Sequence, residues 1–375
     1  MKSSSMLVMA VGLFALTGCA SAQPTLKDAF KNKFLIGAAL NESQFTEQNV
    51  AQAALVKKQF NTITAENVMK WEKIHPTSDR FNFGPADRFV EFGTKNGMVI
   101  IGHTLVWHSQ TPRWVFEDGK GNPADRATLL ARMSNHIHTV VGRYQGRIKG
   151  WDVVNEALNE DGSLRPSPWL KIIGEDYLVK AFEFAHAADP NAELYYNDFS
   201  LENEPKREGA VRIVKKLQAA GVKVHGIGTQ THAKMDWPSP QLIDDTLTAF
   251  GKLGVKVMIT ELDIDVLPAR SRDRSADVSR RDTADPALNP YPNGLPEAIQ
   301  QDLAKRYGEI FAVYAKHADK ISRVTFWGVT DGDSWLNGWP IRGRTSYPLL
   351  FDRQGQPKPA YGEVLKAAAQ TERPD

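Results

Sequence analysis

The chain has 375 residues, 42% hydrophobic and 24% charged, with a formal net charge of +2. That composition describes a globular protein of one large or two ordinary domains. Its basic residues are spread along the chain, which gives no reason to propose nucleic acid as a partner.

The N-terminus reads as a targeting leader. Lys2 precedes an apolar stretch from Met6 to Leu16 that is too short to span a bilayer as a stable anchor. Two processing routes then compete. Ala20-Ser21-Ala22 is an A-x-A site for signal peptidase before Gln23, whereas Leu16-Thr17-Gly18-Cys19 resembles the bacterial lipoprotein box, in which the cysteine is lipidated. Cys19 is the only cysteine, so disulfides within the chain are excluded on either route. We favour a cell-envelope lipoprotein attached to the membrane through Cys19, over a freely secreted or periplasmic form. The leader is thus residues 1–22, and residues 23–375 are expected to form one domain.

Past the leader, short β-branched and aliphatic runs alternate with segments of helical periodicity. Strands are predicted over 34–38, 62–65, 99–104, 148–155, 193–197, 224–229, 255–261 and 323–327. Among the helices predicted between them are 50–60, 127–144, 177–188, 206–220 and 298–317, with stop signals such as Asp189-Pro190 and Gly221. Repeated β-then-α units over one chain predict an α/β fold, the (β/α)8 TIM barrel, as a single domain. An open doubly wound sheet is the alternative, but no Gly-rich phosphate loop follows the first strand. One long irregular stretch, 268–296, either shapes the site or is partly disordered. Its charge run over 270–274 reads as a solvated face.

In such a barrel the chemistry lies at the C-terminal ends of the strands. Strand two ends in Glu66-Asn67, with Lys70 one turn on; strand three leads to His103, Trp107 and Gln110. Strand four ends in Asn155-Glu156 and strand five in Asn197-Asp198. Gln230 and His232 follow strand six, Glu261 and Asp263 close strand seven, and Trp327 closes strand eight, with Trp335 beyond. A carboxylate at the end of a buried strand is costly without a partner or a task. Glu156 and Glu261 are therefore either two structural ion pairs or the carboxylate pair of a glycosidase. Amides, carboxylates and a lysine suit paired hydrogen bonds to vicinal hydroxyls. Of the indoles near loop-like segments, at Trp71, Trp107, Trp114, Trp237, Trp335 and Trp339, some must be core, but an exposed one beside a strand end makes an apolar platform for a sugar ring. A metallohydrolase built on His103, His232 and Glu261 is a competing possibility. His136-Ile137-His138 falls in a helical pattern, where such spacing shares no face, and reads as surface. No Gly-x-Ser-x-Gly elbow supports a serine hydrolase.

At this point a family resemblance is visible. From about Leu26 to the C-terminus the chain resembles the endo-β-1,4-xylanases of glycoside hydrolase family 10. The resemblance is carried by Thr64-Ala-Glu-Asn67 with Lys70-Trp71, Gly102-His-Thr-Leu-Val-Trp107-His-Ser-Gln110, Trp151-Asp-Val-Val-Asn-Glu156, Tyr196-Asn-Asp198, Gly226-Ile-Gly-Thr-Gln230-Thr-His232, Ile259-Thr-Glu-Leu-Asp263 and Thr325-Phe-Trp327-Gly. It implies a retaining enzyme with Glu156 as acid/base and Glu261 as nucleophile. It further implies that Asn155 bonds the 2-hydroxyl of the sugar under attack, that His232 bonds the nucleophile, and that Asp263 orients His232. Glu66, Asn67, Lys70, His103, Trp107, Gln110 and Gln230 match substrate-binding positions on the glycone side. Trp327 and Trp335 match enclosing indoles, and Asn197 and Asp198 a loop bordering the cleft. Departures are Phe199 where tyrosine is usual, which would remove a hydroxyl and weaken a contact beyond the cleavage point, the variable Thr231, and a longer 268–296 loop.

The resemblance implies xylan and xylo-oligosaccharides as substrates, with or without arabinose or glucuronic acid decorations, a monomer, and no cofactor. Asp273, Asp277, Asp282 and Asp285 lie together in the long loop, where solvated charge is favoured over a calcium site. The rivals are an endoglucanase on the same fold and a xylan-binding protein that has lost catalysis. A tight wall near Trp335 would reject glucose, which carries a hydroxymethyl group that xylose lacks.

Overall fold

The protein is described by a computed structural model covering residues 24–269, 278 and 281–370. The leader, Cys19, the 270–274 charge run, Asp273 and Asp277 lie outside the described residues.

Strands β1 (Leu35–Leu40), β2 (Thr62–Ala65), β3 (Val99–Trp107), β4 (Gly150–Asn155), β5 (Glu193–Asp198), β6 (Gly226–Thr229), β7 (His232–Lys234), β8 (Lys256–Asp265) and β9 (Ile321–Phe326) follow one another with helices between most of them. All pairings are parallel. β1 bonds to both β2 and β9, and β6 bonds to β8, so eight strands close on themselves. The short β7 lies outside this circuit, pairing His232–Lys234 with Asp263–Asp265 of β8. The architecture is a (β/α)8 barrel.

The strands read as nearly continuous apolar runs because both of their faces are covered, inward by the barrel filling and outward by helices. Where a bulky residue fills the interior, its neighbour must be small. A Cβ on Gly102 would collide with the indole of Trp151, so β3 can lie beside β4 only with glycine there. The helices start where the sequence supplies caps: Asp125 accepts from the Thr128 amide to open Arg126–Arg143, and Ser239 accepts from Leu242 to open Pro240–Gly251.

Two strands run further than their sequences predict. β3 continues from Thr104 to Trp107, and β8 continues past Glu261 to Asp265. Both have a register shift at that point, between His103 and Val106 against β4 and between Ile259 and Leu262 against β9. Such an irregularity re-aims side chains while pairing continues. Glu261 therefore lies inside a strand, with Asp263 two residues on and on the same strand.

The long loop is fastened in its second half. Asp282 N donates to Pro340 O (3.0 Å), Thr345 N to Asn289 Oδ1 (3.0 Å), and Asp285 caps a short turn at Pro286–Leu288.

His136 corrects the surface reading of His136-Ile137-His138. It is fully buried, whereas His138 is exposed. Its ring stacks on Trp71 at 3.6 Å, and its Nδ1 lies 3.2 Å from His75 Nδ1. Trp71 is consequently core, as are Trp114 in part and Trp237, rather than sugar platforms. Residues spaced i, i+2 on a helix do point apart, but that rule does not say which of them faces inward.

Burial holds His75 down to about 4, and burial with the nearby His75 holds His136 well below the ordinary histidine range. Both rings are neutral in the folded state and protonate more readily in the unfolded chain. Stability should therefore fall as pH drops from about 6.5 to about 4, each unit of separation being worth about 1.4 kcal/mol per group. Thermal unfolding followed across that range should show a decreasing Tm. His136→Phe, which keeps the stack and removes one titrating ring, should make the decline shallower; an unchanged slope would exonerate the pair.

Candidate active site

At the C-terminal mouth of the barrel lies a cleft of about 190 Å³. Its wall contains Glu66, Asn67, Lys70, His103, Trp107, Gln110, Asn155, Glu156, Gln230, His232, Glu261, Trp327 and Trp335, which the sequence predicts as site residues and which come from six of the barrel strands and the segments after them. Val278 of the long loop also lines it, and nothing in the sequence singles that residue out.

Glu156 directly follows β4 and is 4% exposed. Its φ of 57° lies in the left-handed region, which costs a residue with a side chain roughly 1–2 kcal/mol. The conformation is held by Glu156 N donating to Asn197 O (2.9 Å) and Arg165 Nε donating to Glu156 O (3.2 Å). Gln110 and Thr231 also have positive φ, of 44° and 54°, so backbone strain is concentrated around this mouth. The Glu156 carboxyl accepts from Trp107 Nε1 (2.7 Å), Gln230 Nε2 (3.1 Å) and Asn155 Nδ2 (3.2 Å). Burial, then the charges of Asp198 and Glu261, push it up to about 7 against the bonds from Gln230 and Trp107.

Glu261 is equally buried but oppositely biased. Its Oε1 accepts from Asn197 Nδ2 (2.9 Å), and its Oε2 lies 3.3 Å from His232 Nε2. The other His232 nitrogen is 3.0 Å from Asp263 Oδ1, and Asp263 Oδ2 accepts from Trp335 Nε1 (2.7 Å). Burial acts to lower His232, but the charge and hydrogen bond of Asp263, with Glu261, raise it to about 10. His232 is thus an imidazolium at neutral pH and donates from both nitrogens. Burial alone would raise Glu261; the His232 bond and the surrounding cations, Lys70 among them, hold it below the ordinary glutamate value.

Asn197 and Asp198 end β5 and are fully buried, so neither is in a loop bordering the cleft. Asn197 stands behind the wall and joins its two halves. Its Nδ2 reaches both Asn155 Oδ1 and Glu261 Oε1 at 2.9 Å, and Thr260 Oγ1 fixes its orientation by donating to Oδ1 (2.7 Å). Asp263 likewise lies behind His232. Phe199 is 1% exposed with Lys206 Nζ over its ring, which places it in the supporting layer rather than at a contact beyond Glu156.

On the far side of Glu261, Lys70 Nζ donates to Asn67 Oδ1 (3.0 Å) and Gln110 Oε1 (2.9 Å), and it lies 5.2 Å from the centre of the Trp107 ring. Burial lowers its pKa and raises that of Glu66. His103 Nδ1 is 3.0 Å from Asp152 Oδ2, and the His103 ring meets Trp327 edge to face at 5.4 Å. Trp335 stacks on Trp339 at 4.4 Å. Alternating donors and acceptors beneath indole walls can grip a polyol ring, and the two carboxyls in opposite charge states can act as acid and base or nucleophile on it.

The charge of His232 depends on Asp263. Asp263→Asn should bring the His232 titration down toward neutrality, followed by nitrogen NMR of the imidazole. A ring still protonated above pH 9 in that variant would refute the assignment.

Comparison with known proteins supplies the family. Residues 25–367 match the model of glycosyl hydrolase family 10. The chain is 43% identical over 366 residues to endo-1,4-beta-xylanase A of Xylanibacter ruminicola, covering 98% of this chain and 99% of that protein. It is 44% identical over 345 residues to a beta-1,4-xylanase of Dictyoglomus thermophilum, covering 92% and 91% respectively. A GH10 endoxylanase retrieved from a sugarcane soil metagenome superposes with a TM-score of 0.89 at 48% identity, over 91% of this chain and 99% of that one. With the barrel, the paired carboxylates and the whole-length match together, the chain belongs to glycosyl hydrolase family 10.

Proposed function

We propose that the protein is an endo-1,4-β-xylanase that cleaves xylan and xylo-oligosaccharides with retention of anomeric configuration. The observation that carries this is the opposite bias of two buried carboxyls at one cleft, Glu156 toward its acid and Glu261 toward its anion. The names of the relatives supply the sugar. Glu261 attacks the anomeric carbon as Glu156 gives its proton to the departing oxygen, leaving a glycosyl ester on Glu261. That ester has no negative charge, so Glu156 ionises more easily and can take a proton from the water that displaces the sugar. Asn155, whose carboxamide oxygen accepts from Asn197, bonds the 2-hydroxyl of the reacting sugar as positive charge develops beside it.

Glu66, Asn67, Lys70 and Gln110 supply hydrogen bonds on the glycone side, and the Trp335 wall is the feature that favours xylose over glucose. Substrate decorations and a monomeric state remain part of the proposal. So does export with attachment through Cys19, for which only the leader sequence argues. Cys19→Ser should release active enzyme from the membrane fraction; activity still sedimenting with membranes would refute the anchor.

The chemical roles separate experimentally. Glu261→Ala should abolish hydrolysis of every substrate. Glu156→Ala should spare the first step on aryl xylosides with good leaving groups, which need no proton, and slow the second. Equal losses on such substrates would overturn the assignment, and so would an inverted anomer in the first product seen by NMR. Because Glu156 must begin protonated, kcat/KM should fall as pH rises through about 7.

A further inference from the structure

Lys206 sits near the start of helix Glu204–Ala219, yet its side chain has no exposed surface. Burying an ammonium costs several kcal/mol unless it is paired and hydrogen-bonded. Its Nζ lies 3.2 Å from Asp198 Oδ1 and 2.9 Å from Glu160 Oε1, and 3.4 Å from the centre of the Phe199 ring. Asp198 is itself fully buried and accepts from the Tyr196 hydroxyl (2.5 Å) and from the amides of Phe199 (2.9 Å) and Leu158 (3.3 Å). Three donors besides Lys206 are thus aimed at that carboxylate. Leu158 is two residues beyond Glu156, so the Asp198 carboxylate is bonded into the segment that presents Glu156 to the cleft.

We propose that Lys206 is a positioning residue for the acid/base step: by neutralising Asp198, it sets the negative field in which Glu156 holds and releases its proton. The inference rests on Glu156 being the acid/base. The groups facing Glu156 and its neighbour are few. Glu261 and Lys70 face it from the cleft, and Asp198 acts from β5. Tyr196 and Tyr177 adjoin Asp198, and Arg165 donates to the carbonyls of Glu156 and Leu158. Without Lys206 the Asp198 charge is uncompensated, the Glu156 anion is disfavoured, and the acid form persists to higher pH. Glu160 is 45% exposed and shares the same ammonium. Removing its charge leaves Lys206 wholly to Asp198 and shifts Glu156 the other way.

The test is the pH dependence of kcat/KM on a xylo-oligosaccharide for wild type, Lys206→Met, Lys206→Arg and Glu160→Gln, each checked for folding by circular dichroism. The alkaline limb should move up by roughly half a unit or more in Lys206→Met and down in Glu160→Gln, while Lys206→Arg restores the wild-type position. A purely structural role would lower activity without opposite displacements of the limb. Limbs that stay at the wild-type position, or that move in the same direction, would overturn the inference. If Lys206→Met does not fold, Glu160→Gln decides alone, because its side chain is half exposed. Glu156→Ala is the separate control: an alkaline limb surviving in that variant would mean that the acid/base reading itself is wrong.

Discussion

Two carboxyl groups buried at one barrel mouth repel each other when both are charged, and each resists charging on its own because water is excluded. The cleft resolves this by placing a hydrogen-bonded cation asymmetrically. His232 is held as an imidazolium by Asp263 and, of the two glutamates, donates only to Glu261, while Glu156 receives only neutral donors, from Trp107, Gln230 and Asn155. A neutral donor orients a carboxyl without settling its charge; an imidazolium does both. The division of labour between the two glutamates thus comes from their neighbours, since the side chains are chemically identical.

That asymmetry is maintained by residues that never meet the cleft. Asn197 ties Asn155 to Glu261, Thr260 orients Asn197, and Asp198 fastens the chain after Glu156 to β5. Positive φ at Gln110, Glu156 and Thr231 is tolerated because this second layer over-determines the backbone. Thr231 is β-branched, so its conformation is the least comfortable of the three, and its hydroxyl is held by Glu202 Oε1 at 2.7 Å. The strain lies immediately beside Gln230 and His232 and aims both side chains.

Much of this was legible in the sequence because a barrel converts linear position into spatial position. A polar residue after a buried run must arrive at the same rim as every other such residue, so Glu66, His103, Glu156 and Glu261 could be grouped without coordinates. Less legible was whatever depended on local irregularity. No alternation pattern reveals the register shifts that extend β3 and β8. Composition does not say that His136 turns inward onto Trp71, or that Val278 reaches back to the cleft from a distant loop. The depth of Asn197 was missed for a related reason: a strand-end amide can bond substrate or a neighbour, and only packing tells which.

Trp335 belongs to two systems at once. Its ring stacks on Trp339 and walls the cleft, while its indole nitrogen ends the chain through Asp263 and His232 to Glu261. Widening the cleft there to admit a bulkier sugar would also remove a donor from the anion that keeps His232 charged. The shape of the cleft wall and the charge state of Glu261 are therefore not independent variables for evolution. A lineage drifting toward a larger substrate would have to rebuild the support of Asp263 first, which narrows the mutational routes out of this specificity.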